Sequence, residues 1–288
     1  MIQINAQNIH QKLRTYKRSP LSLVLLLLVV SATIITVSVL LFIIGYILVK
    51  GIPNITTDLF AWKYTSENVS LAPAIINTLI IVILALLIAV PLGIFAAIYL
   101  VEYAKRGNKL VEMIRLTTET LAGIPSIIYG LFGLLFFVTA MGWGFSILAG
   151  AFTLAIMILP VIMRTTEEAL KAVPDSYREG SFALGANKLR TVFRIILPSA
   201  MPGILSGIIL SIGRIVGETA ALLYTAGTVA ETPKNLFSSG RTLSVHMYVL
   251  SSEGLYVNQA YATAVVLLVT VIIINWLSNF LAKKITKG

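Results

Sequence analysis

Arg214 and Glu218 lie four residues apart in an otherwise apolar stretch, 203–226, that is long enough to cross a bilayer. Ionisable groups at membrane depth cost at least ~2.5 kcal/mol each on insertion scales and face a polar cavity or a neighbouring helix. In a continuous helix, residues at i and i+4 share one face, so each charge would partly offset the other. Two kinds of chemistry fit this spacing. A closed ion pair would lock helices together. An accessible pair would meet a charged solute on its way through the membrane.

The element that must position the pair reads as a two-faced helix. At 100° per residue, Gly203, Gly207, Arg214, Glu218, Ala221 and Thr225 fall within about 40° of the Arg214 direction, with Ser211 on the adjoining edge. Ile208, Leu210, Ile212 and Leu223 occupy the other side. The pairs Gly203/Gly207 and Gly213/Gly217 have the spacing of a helix-packing seam. Glycine alone would support a dry seam; arginine and glutamate on the same stripe argue for a wet one. A second stretch, 121–133, is broken by Gly123, Pro125, Gly130 and Gly133 and carries Ser126, with Tyr129 three residues later. It reads either as a tight packing surface or as a place where Ser126 approaches a solute path.

Composition fixes the class. The chain has 288 residues, 57% hydrophobic and 12% charged, with a mean hydropathy of +0.91. These values fit a single integral membrane domain and no ordinary soluble one. Six stretches reach the length of a span: about 21–49, 74–99, 121–141, 145–163, 203–226 and 262–281, the third and fourth divided by a short turn at Gly142, Trp143 and Gly144. The first run is too long for a signal-peptide core and reads as a retained helix. Pro91 and Gly93 suggest a kink in the second. With no cysteine there is no disulfide, thiolate nucleophile or cysteine-based metal site.

The net charge of +10 reflects membrane sidedness and lipid contact, with no nucleic-acid partner implied. Of 22 lysines and arginines, 17 fall in four places: the tail 1–20 (Lys12, Arg14, Lys17, Arg18), the second loop (Lys105, Arg106, Lys109, Arg115), the loop 164–200 (Arg164, Lys171, Arg178, Lys188, Arg190, Arg194) and the C-terminus (Lys283, Lys284, Lys287). The opposite side has Lys50, Lys63, Lys234 and Arg241. Six spans with both termini in the cytoplasm match this asymmetry.

The loop 164–200 has ordered signals. Pro174, Asp175 and Ser176 start a short helix over about 176–184 that Gly185 would stop, and Asn187 caps a second one ending near Leu197, before Pro198 and Pro202. Such short helices are marginal alone, so they rest on the membrane domain or on a docked protein. Glu167, Glu168 and Glu179 read as a solvated charged face. On the other side, 241–251 reads as an amphipathic surface helix, with His246, like His10, incidental. The chain contains no phosphate-cradling G-x-x-x-x-G-K-[ST], no H-E-x-x-H and no G-x-S-x-G.

Two motifs carry a resemblance. Glu179-Gly180-Ser181, three residues, Gly185, nine residues and Ile195-x-Leu197-Pro198 resemble the EAA loop of the permease subunits of bacterial ABC importers, with Gly180 and Ser181 standing for the two alanines. The segments 213–226 and 123–133 are similar to phosphate importer permeases, and the Gly-Glu-Thr-Ala-x-Leu-Leu form at 217–223 is that of the A-type (PstA-like) subunit. The likeness covers about 73–282.

The resemblance implies an all-α membrane domain of six helices with a cytoplasmic coupling loop. It also implies a partner set: inorganic phosphate, a paralogous C-type permease as heterodimer, an extracytoplasmic phosphate-binding protein, and two cytoplasmic ATPase subunits that hold ATP and magnesium. In the family, Glu179, Gly180, Ser181, Gly185, Ile195, Leu197 and Pro198 would seat the ATPase, and Arg214 and Glu218 would serve phosphate passage, with Ser211, Thr225 and Ser126 on the same path. The chain itself would be a transport subunit in a bacterial cell membrane, with no catalytic residues, metal or cofactor of its own. Rival readings are a permease for another oxyanion such as sulfate or molybdate, an ion-coupled secondary carrier, and an intramembrane enzyme.

Overall fold

The computed structural model describes residues 20–105 and 107–287, and these are helical with no strand. The tail with Lys12, Arg14, Lys17, Arg18 and His10, and also Arg106, lie outside the described residues. The chain divides into two compact units, Met1–Lys50 and Gly51–Gly288.

The first unit carries helix α1 (Pro20–Gly51), apolar on every side. The hydroxyls of Ser31, Thr33 and Thr36 donate to carbonyls of their own helix at Leu28, Val29 and Ala32. These three hydroxyls then need no partner outside the helix, which suits a hydrocarbon environment.

The second unit is built around α5 (Ile147–Lys171), with 67% of its most apolar stretch inside the protein. Ser146 caps its start, accepting from the Ala149 amide at 3.2 Å. On it pack α2 (Ala72–Ile98), α3 (Lys109–Ala122), α4 (Ser126–Gly133) and α8 (Leu197–Gly217). Ile81, Ala85 and Ala89 of α2 meet Leu154, Met157, Ile158 and Ile162 of α5 and Ile215 of α8 in the main core. The Gly203/Gly207 seam forms as its spacing suggests, against Ala169 and Thr165 of α5. The Gly213/Gly217 pair forms no such seam: Gly217 faces open space, and Gly213 has only the Asn275 carboxamide oxygen nearby. Pro91 sits inside α2 without ending it.

Among the described residues, five helices are long and apolar enough to cross a membrane, and the count reaches six when α3 and α4, with its π-helical extension Leu134–Ala140, are taken as one span bent by 102°. The stretch 121–141 is therefore no straight rod. Pro125 removes an amide donor and pushes Ile124 out of helical geometry, so α3 ends at Ala122 and a new helix starts at Ser126. Between α4 and α5, Gly142 and Gly144 take positive φ of 67° and 65° and make the turn.

The loop after α5 folds into α6 (Asp175–Ala183) and α7 (Lys188–Thr191). The chain does not stop at Pro198. A π-helical turn, Val192–Ile196, joins α7 to α8 as one helix over Lys188–Gly217. The wider turn absorbs the missing proline amide that would otherwise break an α-helical ladder. Beyond Gly217 come the single turn α9 (Ala220–Leu223), then α10 (Leu243–Glu253) and α11 (Val257–Lys287).

Candidate translocation cleft and coupling face

The structure does not place Arg214 and Glu218 on one continuous helix. α8 ends at Gly217, and Glu218 is extended, with φ −71° and ψ 127°. Its carboxylate turns back and accepts the Ala221 amide of α9 at 3.0 Å, a charge-assisted cap on one of the amides that a helix start leaves without partners. The Glu218 carbonyl, freed by the break, accepts from the Ser244 hydroxyl of α10 at 2.6 Å. Glu218 is buried. Among the described residues it forms no ion pair with Arg214.

Arg214 stays in the last turn of α8, where a cation complements the helix dipole. It lines an open cleft of ≈ 720 Å³ with Val161, Ser206, Ile209, Leu210, Gly213, Asn275 and Asn279. Among the described residues its guanidinium makes no hydrogen bond or ion pair, while its charge reaches the Tyr129 hydroxyl through space. Five donors at membrane depth are thus left for a solute or a neighbouring protein.

The other expected path residues lie apart from this cleft. Ser211 is fully buried and donates to the Gly207 carbonyl at 2.9 Å. Thr225 is fully buried and donates to Ala221 at 2.8 Å, with its methyl group pressed against Gly133. Ser126 begins α4, half-buried, just past the Pro125 break. Tyr129 bridges that break, donating to the Leu121 carbonyl at 2.7 Å. The two broken elements meet directly: a side chain at Gly130 would stand 2.8 Å from the Ala221 Cα, so α4 and α9 touch backbone to backbone.

α6 carries the expected coupling residues Glu179, Gly180 and Ser181. Gly185 takes φ +81°, the left-handed stop its position demands, and Asn187 caps α7 by accepting from Arg190 at 2.9 Å. Ser181 is buried and bonds Thr191 at 2.8 Å, which fixes α6 against α7. Glu179 and Gly180 are exposed, as is Pro198, while Ile195 and Leu197 are half-buried against the core below. Tyr177, Phe182 and Leu184 are exposed beside Glu179, Leu184 at 90%. Exposed apolar side chains around an acid suit a protein partner.

Sequence reasoning missed what holds this face. Arg178, counted there only as a loop charge, donates to Glu102 at 2.7 and 3.2 Å and to the carbonyls of Leu170 and Val173 at 3.0 and 2.9 Å. It ties α6 to the π-helical end of α2, Tyr99–Tyr103. Glu167 and Glu168 are not simply solvated: Glu167 pairs with Arg115 and Lys171, and Glu168 with Arg164. Asn275 and Asn279 were equally overlooked, although two amides four residues apart in an apolar span were a readable signal.

The 241–251 helix forms, but it is not a surface helix. Leu243, Ser244, Val245, His246 and Leu250 of α10 are buried. Thr78 of α2 accepts the Leu243 amide at 2.9 Å, and the Asn77 amide donates to the Arg241 carbonyl at 3.1 Å, pulling the helix start inward. His246 has its pKa lowered to about 3, first by burial and then by the Arg241 charge, against a weaker opposing contribution from the Val69 backbone. Arg241 stacks over the Tyr64 ring at 4.8 Å.

Comparison with known proteins agrees with this architecture. Residues 89–287 match the family described as binding-protein-dependent transport system inner membrane component. The probable ABC transporter permease protein YqgI of Bacillus subtilis (strain 168) is 35% identical over 264 residues, 84% of this chain and 90% of the relative. The phosphate transport system permease protein PstA of Yersinia pestis is 36% identical over 244 residues, 82% of this chain and 81% of that one. In fold, a chain of a bacterial alginate ABC transporter, solved with its alginate pentasaccharide-bound periplasmic protein, superposes with a TM-score of 0.69 at 18% identity, over 96% of this chain and 99% of the other. A chain of the inward-facing MetNI methionine ABC transporter gives 0.58 at 19% identity, over 84% and 97%. With the short loop helices, the bent span and a matching stretch of 199 residues in hand, the chain belongs to the family of binding-protein-dependent transport system inner membrane components.

Proposed function

We propose that this chain is the A-type permease subunit of an ATP-driven phosphate importer. The observation that carries the reading is Arg214, a guanidinium at membrane depth that lines an open cleft and has no hydrogen bond or ion pair among the described residues. A phosphate oxyanion matches its planar fork. Similarity to permeases named for phosphate transport supports that solute over other oxyanions.

An unpaired guanidinium at membrane depth cannot face lipid, so a second permease, of the C type, closes the cleft. A phosphate-binding protein delivers solute at the end opposite α6. Two ATPase subunits holding ATP and magnesium seat on α6 around Glu179 and Leu184. The basic excess in the loop 164–200 and in both termini supports a cytoplasmic location for them. This chain binds and conducts; the phosphoanhydride is broken in its partners.

Reconstitution of the subunit with its paired permease, ATPase and binding protein tests the reading. Phosphate should stimulate ATP hydrolysis and enter the vesicles, and unlabelled phosphate should compete where sulfate and molybdate do not. Stimulation by sulfate or molybdate instead would move the subunit to another oxyanion. Solute entry without any ATPase would make it a secondary carrier.

A further inference from the structure

Across the cleft from Arg214, α11 lines the opening with two carboxamides, Asn275, half-buried, and Asn279, exposed. We propose that these two side chains are the neutral wall of the passage and touch the permeating oxyanion opposite the guanidinium. The proposal rests on the transport reading above and adds the residues that share the solute with Arg214.

α11 is apolar over most of its length, and its hydroxyls show what a polar group there normally does. Thr263 and Thr270 donate to the Gln259 and Val266 carbonyls of their own helix at 2.7 Å. The amides behave differently. Asn279 donates one bond to the Asn275 backbone carbonyl at 2.9 Å, and its oxygen makes none among the described residues. The Asn275 carboxamide makes no hydrogen bond among the described residues, and its oxygen lies beside Gly213, 4.0 Å from where a β-carbon would stand there. Gly213 adjoins Arg214 in the chain, so the amide and the guanidinium flank one space. Ser206 lines the same cleft but has its hydroxyl bonded to Pro202 at 2.9 Å. The amides therefore hold the unspent hydrogen-bonding capacity of this wall.

Their chemistry suits passage. A second cation opposite Arg214 would add attraction and slow release, whereas a carboxylate would pair with Arg214 and close the route. A carboxamide does neither. Its NH2 can donate to an ionised phosphate oxygen and its carbonyl can accept from a protonated one. A partly protonated oxyanion thus finds partners on both walls of the cleft, with only one full charge holding it.

The chain has no cysteine, so an introduced thiol is the only one in this subunit. In the reconstituted complex, Asn275→Cys and Asn279→Cys are treated with a charged, water-soluble methanethiosulfonate. Ile273→Cys, on the exposed apolar side of the same helix, is the reference. Only the thiolate reacts, and an apolar setting raises a thiol's pKa, so the cleft positions should react about tenfold faster than position 273. Phosphate should slow both. Reaction no faster than at 273 overturns the proposal, whatever the wild-type complex transports. Fast reaction that no oxyanion slows also overturns it, because the amides would then line water without touching solute. Fast reaction slowed by sulfate or molybdate but not by phosphate keeps the wall and removes phosphate as the solute. Asn275→Asp gives an independent readout. Uptake should fall at neutral pH and recover as the medium is acidified and the new carboxyl protonates, and a loss that does not depend on pH overturns the assignment.

Discussion

The hydroxyl of Ser244 donates at 2.6 Å to the backbone carbonyl of Glu218, which joins α10 to the break at the end of α8. Both residues are buried. The Glu218 carboxylate meanwhile caps α9. Glu218→Gln retains an acceptor oxygen and should leave assembly near normal, while Glu218→Ala should lose about 1 kcal/mol of cap. Ser244→Ala strands a buried carbonyl and should cost about 1–3 kcal/mol. Thermal unfolding of the purified complex measures all three. If Glu218→Gln assembles normally but transports nothing, the carboxylate acts on solute as well as on structure.

Arg214→Ala should abolish uptake while the complex still assembles. Arg214→Lys should retain part of it, since an ammonium keeps the charge but not the two-pronged geometry. Uptake by vesicles, with subunit stoichiometry checked in parallel, reads both. Normal uptake in Arg214→Ala removes the cleft from the route.

Arg178 and Glu102 are a mostly buried pair, their side chains 17% and 8% exposed. Arg178→Ala leaves a buried carboxylate without its partner and should destabilise the α6 attachment by about 3–5 kcal/mol. The exchange Arg178→Glu with Glu102→Arg should rescue only part of that, because Arg178 also serves the Leu170 and Val173 carbonyls. Protease sensitivity within 172–187 reports the loosening.

Glu179→Lys and Leu184→Asp alter exposed positions, so stability should be unchanged within about 0.5 kcal/mol. Both should weaken pull-down of the ATPase subunit, Leu184→Asp through lost apolar contact and Glu179→Lys through reversed charge. Full pull-down by both variants would move the docking face elsewhere.

His246 is neutral in the folded protein, with a pKa of about 3 against 6.5 unfolded. Between those values the unfolded chain binds the extra proton, so stability is complete above pH 6.5 and falls as the pH drops below it, by up to ~1.4 kcal/mol per unit. His246→Leu should flatten the part of this loss between pH 6.5 and 5, before carboxylates titrate. An unchanged acid profile would mean that the ring is not kept neutral.

The elements most legible in the sequence were those with a single local cause. Gly185 and Asn187 specify their turns alone, and the turn at Gly142 and Gly144 follows from glycine's tolerance of positive φ. The end of α8 was not legible, because its cause lies far along the chain. Nothing between 203 and 226 forbids a continuous helix; what favours the break is a carboxylate cap together with Ser244, 26 residues away. Burial of 243–250 was hidden for the same reason, since Asn77 and Thr78 of α2 draw that segment in. Arg214 was readable as a charge out of place, but its neighbours Asn275 and Asn279 come from another helix, and no spacing within one element could have paired them with it.

The π-turn at Val192–Ile196 has a mechanical meaning. Because it carries the helix past Pro198 without a stop, the foot that begins at Lys188 and the guanidinium at Arg214 belong to one shaft, 26 residues and about 39 Å apart at 1.5 Å per residue. Such a shaft has two soft places near its base, the π-turn and Pro202 inside α8. If the foot takes up torque, as the proposed coupling requires, the turn passes Pro202 and then travels along one unbroken helix to the guanidinium.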